Sequence, residues 1–321
     1  MSDQAPLQGR VIRVDARQCE VELEGRILSA RFRGNLFSEK SVEKSPVAVG
    51  DQVRLSREGE ELAVEEVLPR RNFFSRRAAG SELRRQLIAA NIDQVAVIAS
   101  FRQPTFSSIA TDRILAGCHF HEIPAFVVVN KADLARKEQL DSLPATYRAA
   151  GYSVLVTSAL QGAETETLLA RLKDRVTVLS GLSGVGKSSL LNRIEPGLGL
   201  RTRKFSQSLG SGRHTTAYAR MFHLAAGGFV IDTPGMRSFR LFGIAPSELR
   251  LHLSEMAALG RGCHYPDCLH RGEPGCAVGK ALKQGILARS RYRSYLEMLA
   301  ELEKIYGGTG PAEEGRSAPT R

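Results

Sequence analysis

No stretch of this sequence approaches the ~20 consecutive apolar residues of a membrane-spanning helix, and no targeting segment is expected. Cysteine is scarce and odd in number, five in 321 residues, which argues against a disulfide-stapled secreted fold and for a reducing cytoplasm. Acidic residues run short of basic ones, 34 against 45, leaving a net charge of +11. Such an excess favours contact with an RNA phosphate backbone, and no membrane partner is expected. No internal repeat is present. The length suits two or three domains.

The residues that are present carry nucleotide chemistry. Gly181-Leu182-Ser183-Gly184-Val185-Gly186-Lys187-Ser188, followed by Ser189, matches a phosphate loop at every position. Residues 175–180 read as a buried strand before it, and residues 188–192 as a helix after it. Glycines let successive N–H groups point inward at phosphate oxygens at the positive end of the helix dipole. Lys187 would pair with the outer phosphates, and the Ser188 hydroxyl would ligate Mg²⁺.

Asn130-Lys131-Ala132-Asp133 follows an apolar run at 125–129 that reads as a strand ending at the ligand-binding edge of an open α/β sheet. The Asp133 carboxylate accepts two hydrogen bonds from the N1–H and N2–H₂ edge of guanine, whereas adenine would leave that charge unpaired. Asn130 is placed to bond the other edge of the base, and the Lys131 stem to cover the ring. A further strand at 154–157 ends in Ser158-Ala159, small residues suited to the guanine carbonyl. Downstream, residues 229–232 read as a strand running into Asp232-Thr233-Pro234-Gly235. Asp232 would hold Mg²⁺ through water and the Gly235 N–H would sense the γ-phosphate. In Gly212-Arg213-His214-Thr215-Thr216, either Thr215 or Thr216 is the expected second Mg²⁺ ligand.

The order is rotated. In an ordinary GTPase the phosphate loop opens the domain and N-K-x-D follows near its end; here N-K-x-D comes first. The strand at 93–99 reads as the one that normally follows D-x-x-G, so a circular permutation with new ends just beyond the switch segments is expected. Whatever is fused at those ends can feel or bias the nucleotide state.

Cys263, Cys268, His270 and Cys276 lie inside fourteen residues, with glycines and prolines between them for tight turns. Three thiolates and an imidazole suit a closed, structural Zn²⁺ site, with His264 the alternative imidazole. Cys19 and Cys118 read as core residues. The first seventy residues alternate as five short strands and fit a small barrel of OB type, a common single-stranded nucleic-acid binder. Arginine clusters at 70–77, 84–85, 201–204 and 289–293 offer phosphate contacts.

On these motifs the chain resembles the RsgA or YjeQ small-ribosomal-subunit biogenesis GTPases over residues 9 to 305. The resemblance implies a permuted GTPase between an N-terminal OB fold and a C-terminal zinc domain, with the small subunit and its rRNA as partners. The expected organisation is a barrel at 1–70, the GTPase at 71–240, a zinc domain with helices at 241–306 and a disordered tail at 307–321. The tail is rich in Gly, Pro and Ser. Residues 277–306 read as helical, with Leu282, Leu287, Tyr295, Leu299 and Leu302 as a core stripe.

Met236 stands where many GTPases place a glutamine that orients the attacking water. Intrinsic hydrolysis is therefore expected to be slow and completed by the subunit, with His214 as the candidate water-positioning group. The rival reading is a GTP-gated RNA-binding scaffold without turnover. A monomeric, cytoplasmic protein using GTP/GDP, Mg²⁺ and one Zn²⁺ is expected.

Overall fold

The computed structural model describes residues 7–37, 41–59, 61–80, 83–200, 219–233 and 239–307. Its first five strands close a barrel: β1 (Leu7–Val14), β2 (Gln18–Leu23), β3 (Arg26–Phe32), β4 (Gln52–Glu58) and β5 (Glu61–Val67). The order is β1-β2-β3-β5-β4, with β4 returning to pair β1; only β3 and β5 run parallel. Strand β2 shows the cause, since Cys19, Val21 and Leu23 are buried and alternate with less buried polar residues. Val11, Val53, Leu55 and Val64 complete the interior of this OB-type barrel. Cys19 is core, its thiol pushed up to about 12 by burial and then by the Asp51 charge.

A hairpin follows, β6 (Phe73–Arg77) with β7 (Arg85–Ala90). Its arginines hid it in the sequence, where they read as surface charge. Two basic residues instead hold this junction, Arg70 just before the hairpin and Arg85 within it. Arg70 donates from Nε and Nη2 to the fully buried Asp51 at 2.7 and 2.9 Å, and Arg85 pairs with Glu43 at 2.9 Å. Gly50 sits at the same junction with φ +93, and a Cβ there would lie 2.1 Å from the Ala90 carbonyl oxygen.

The nucleotide sheet comprises β8 (Gln94–Ser100), β9 (Ala125–Asn130), β10 (Val154–Val156), β11 (Val176–Ser180), β12 (Arg220–His223) and β13 (Phe229–Asp232). Their order is β10-β9-β8-β11-β13-β12, parallel except for β12. Every residue of β8 is buried, as a central parallel strand covered on both faces requires. Helices α1 (Ser108–Phe120), α2 (Lys137–Ala149), α3 (Thr165–Leu172) and α4 (Lys187–Ile194) connect the strands. The expected permutation is visible in this order: β8, first in the chain, lies beside the phosphate-loop strand β11, which lies beside β13. β12 also pairs with barrel strand β1, at Arg13 and Arg220, so barrel and nucleotide sheet form one eleven-stranded sheet.

The C-terminal segment holds α5 (Ser254–Gly260), α6 (Ala277–Lys283) and α7 (Arg289–Tyr306). The stretch 277–306 read as helical forms two helices, α6 and α7, with Gly285 at φ +74 between them. Tyr295, Met298, Leu299, Leu302 and Tyr306 form one buried stripe at helical spacing, and Gly307 in the left-handed region ends α7. That stripe joins Ile114 and Leu115 of α1 in a shared core, where Cys118 is also buried.

Arg291, grouped in sequence with RNA-facing arginines, is 1% exposed. It pairs with Asp112 of α1 and with Glu255 of α5 at 2.5 and 2.9 Å, while Tyr147 of α2 donates to Asp112 at 2.8 Å. Burial opposes this charge, but Asp112 and Glu255 outweigh it and push the guanidinium pKa up. Removing one member of such a buried group strands the others. Arg291→Ala should cost about 3–5 kcal/mol in chemical denaturation, and a loss within the range of an exposed pair would contradict the buried latch.

Candidate functional site

The phosphate loop is built by close approach and by backbone sign. A Cβ on Gly181 would lie 2.0 Å from the Ile98 carbonyl oxygen, so strand β8 passes too near for any side chain. Gly184 and Gly186 take φ of +83 and +98, leading into α4 with its N–H groups free to face an anion. Ser183 at the loop tip is exposed, Leu182, Ser188 and Ser189 are half-buried, and Val185 is core.

Lys187 opens α4 and is 6% exposed. Its Nζ donates to the carbonyls of Gly181 and Leu182 at 3.0 and 3.2 Å. Burial lowers its pKa, and the Asp232 charge partly offsets this. Asp232 ends β13, with one buried carboxylate oxygen, Oδ1, lacking a hydrogen-bond partner. Burial raises this carboxyl to about 6, against the pull of Lys187. An orphaned, inward-facing carboxylate oxygen beside a phosphate loop fits a cation carried by a nucleotide.

Asn130 joins the other loops to this one. It is 1% exposed; its Nδ2 donates to the Val185 carbonyl at 2.9 Å. Its Oδ1 accepts from the Ala159 N–H at 3.1 Å and the Thr157 hydroxyl at 3.3 Å. These bonds commit both Oδ1 lone pairs and one of the two Nδ2 hydrogens of Asn130. Lys131 adopts φ +62, and its Nζ donates to the Gly184 carbonyl at 2.7 Å and to the Gln103 carbonyl. Asp133 accepts from the Ser158 hydroxyl, which itself accepts from the Gln161 N–H at 3.2 Å. Phosphate loop, N-K-A-D tetrad and Ser158-Ala159 therefore converge at one sheet edge.

His214, Thr215, Thr216, Gly235 and Met236 lie outside the described residues, as do the basic residues 201–204. Two contributors escaped the sequence reading. Thr157 had a signal, standing directly before Ser158. Gln103 acts through its carbonyl, for which no side-chain pattern exists.

The second cluster is a wrap around Cys263, Cys268, His270 and Cys276, whose ligand atoms all lie within 4.8 Å of one another. His270 takes φ +60, an uncommon backbone held in place by its surroundings. Its Nδ1 lies 3.6 and 3.5 Å from the sulfurs of Cys263 and Cys276, which makes it the imidazole of the set rather than His264. Burial lowers its pKa, favouring the neutral ring a metal needs. Ala277 N–H donates to the Cys263 sulfur and Gly279 N–H to that of Cys276, both at 3.3 Å. Burial resists ionisation of Cys263, but the N–H groups of Ala277 and Val278 outweigh it and its pKa falls. Glu273 pins the turn by accepting from the Leu269 N–H at 2.8 Å, and Tyr295 and Tyr292 of α7 donate to the carbonyls of Leu269 and His270 at 2.8 and 2.6 Å. Four converging ligands of this type fit a closed tetrahedral ion.

The family model described as RsgA GTPase matches residues 67–242. The chain belongs to the RsgA GTPase family. This RsgA-family chain is 39% identical over 297 residues to the small ribosomal subunit biogenesis GTPase RsgA of Moorella thermoacetica, covering 92% of this chain and 97% of that one. The protein of the same name from Bacteroides fragilis is 35% identical over 304 residues, or 93% and 98% of the two chains. Among solved structures, YjeQ from Thermotoga maritima superposes with a TM-score of 0.70 at 31% identity, covering 93% of this chain and 99% of that one. YloQ, described as a circularly permuted GTPase, gives 0.67 at 27% identity over 94% and 96%. The chain is thus a GTP hydrolase with a circularly permuted nucleotide domain.

Gly186 is where the phosphate loop meets Asn130. A Cβ there would lie 2.3 Å from Asn130 Nδ2, on a backbone that L side chains rarely adopt. Gly186→Ala should weaken GTP binding by about tenfold or more, from strain of ~1–3 kcal/mol. Equilibrium titration with a fluorescent GTP analogue checks this, and unchanged affinity would contradict the linkage between the two loops.

Proposed function

We propose that this GTPase binds the small ribosomal subunit and its rRNA, assists late maturation of that particle, and hydrolyses GTP to GDP and phosphate when the subunit stimulates it. One observation carries the reading. A guanine-type nucleotide site is joined to an OB-type barrel and a Cys₃His cluster in a chain matched over nine-tenths of its length by relatives named small ribosomal subunit biogenesis GTPase. The net charge of +11 supports contact between the barrel or C-terminal segment and rRNA phosphates. The proposed units are a barrel at 1–70, the GTPase at 71–240, a zinc domain at 241–306 and a tail at 307–321. The protein would act as a cytoplasmic monomer; among the described residues no helix is long and apolar enough to cross a membrane.

At the nucleotide, Asp133 would accept the guanine N1–H and N2–H₂ donors, with the Ala159 N–H and Ser158 positioned at the base carbonyl. Asn130 would hold the base loop against the phosphate loop, and the Lys131 stem would cover the ring. The N–H groups of 181–189 would surround the phosphates, and Lys187 would leave its two carbonyls for the outer phosphate oxygens. Ser188, Asp232 and either Thr215 or Thr216 would hold Mg²⁺, which when bound neutralises phosphate charge. Gly235 would sense the γ-phosphate and His214 would position the attacking water, because Met236 can donate no hydrogen bond. Cys263, Cys268, His270 and Cys276 would hold a structural Zn²⁺ that fixes the C-terminal wrap.

GTP turnover by zinc-replete protein, alone and with purified small or large subunits, tests the proposal. Stimulation is expected from the small subunit alone and should fall at least about a hundredfold in His214→Ala, the lower range for a positioned proton-transfer group. Stimulation retained in the variant would move the water-positioning role elsewhere. No stimulation by either subunit would favour a non-hydrolysing scaffold.

A further inference from the structure

Four charged residues form a row across the junction between barrel and nucleotide sheet. Asp232 on β13 is in register with Arg220 on β12, Arg220 with Arg13 on β1, and Arg13 with Glu20 on β2. Directly opposed residues share a sheet face with Cβ atoms about 4.5–5.5 Å apart, so Arg220 is the natural partner of Asp232. The two are not paired. The Arg220 guanidinium lies 3.4 Å from Glu20 Oε2 and 5.5 Å from the ring centre of Phe222, two residues further along β12, while Asp232 Oδ1 stays buried without a hydrogen bond. Glu20 faces both arginines: its Oε1 accepts from Arg13 at 3.0 Å, while its buried Oε2 accepts no hydrogen bond and attracts Arg220 by charge alone.

We propose that Glu20 of the barrel is a positioning residue for the nucleotide site, drawing Arg220 aside so that Asp232 remains open to a cation. The inference rests on the reading of Asp232 as the magnesium carboxylate. Without Glu20, Arg13 still has Asp15 at 3.4 Å, whereas Arg220 has Asp232 opposite it and becomes a tethered competitor for the metal. The docking around this row is fixed by further contacts: Glu22 with His223 at 2.6 Å, and Arg10 over the Phe229 ring at 4.5 Å. Loss of Glu20 alone therefore leaves the barrel attached. A ligand that drew the barrel away from β12 would have the same effect as removing Glu20, so the barrel gains a direct electrostatic hold on magnesium binding.

The experiment measures, in the full-length, zinc-replete protein, the Mg²⁺ concentration for half-maximal binding of a fluorescent GTP analogue at equilibrium, and beside it the Mg²⁺ concentration for half-maximal GTP turnover at saturating GTP. Glu20→Ala should raise both concentrations about three- to fivefold, the range a partly exposed ion pair can supply, and leave turnover at saturating Mg²⁺ unchanged. Glu20→Ala combined with Arg220→Ala should restore the original values, because the competing cation is gone. A purely structural role for Glu20 cannot produce that rescue. An unshifted single variant, or a double variant that keeps the shift, would overturn the proposal. Should Glu20→Ala fail to fold, Arg220→Ala alone decides: a requirement equal to or below that of the original chain is expected, and a raised one overturns the idea. Asp232→Asn is run alongside. If it leaves the Mg²⁺ requirement unchanged, the magnesium reading of Asp232 fails and the inference falls with it, whereas a shifted Asp232→Asn beside an unshifted Glu20→Ala condemns the inference alone.

Discussion

The structure depends on one buried amide. Asn130 spends its oxygen on the loop after β10 and one N–H on the phosphate loop after β11, so three chain segments meet in a fixed geometry. What a nucleotide site requires is this spatial convergence at the carboxyl ends of parallel strands, and chain order is free so long as the convergence survives. Burial makes the constraint strong, because each of these bonds, if broken, leaves a polar group without water.

The rotated connectivity then decides where the other parts attach. The first strand of the nucleotide sheet in chain order is β8, in the centre of that sheet, and the last is β13. The segment before β8 therefore emerges near the sheet and returns as a barrel whose β1 extends the edge strand β12. The segment after β13 packs α7 onto α1 and is latched by Arg291 between Asp112 and Glu255. Both appendages contact the nucleotide-sheet unit, the barrel at β12 and the C-terminal segment at α1.

Much of this was legible in the sequence because the site is written in short motifs with fixed flanks. The phosphate loop, N-K-A-D and the Cys₃His wrap each specify local geometry, and the structure brings their described members together at two places. The barrel strands were legible from alternation, as in Cys19-Glu20-Val21-Glu22-Leu23. What escaped was set by tertiary pairing. The β6–β7 hairpin was masked by arginines, since charge in a strand carries no sign of whether it meets solvent or a buried carboxylate. Arg291 reads like its neighbours Arg289 and Arg293 until α1 and α5 supply its partners. The row from Glu20 to Asp232 joins residues more than two hundred positions apart, and only sheet register aligns them.

The central claim is that the rotated motifs assemble a single guanine-nucleotide site whose base is read by Asp133. Equilibrium displacement of a fluorescent GDP by GTP, ATP and xanthosine triphosphate tests it most directly, in the original chain and in Asp133→Asn. GTP should compete and ATP should not, and the variant should shift its preference to the xanthine nucleotide, whose carbonyl accepts from an amide where guanine offers a donor. Equal displacement by ATP, or a variant with unchanged preference, would contradict the account.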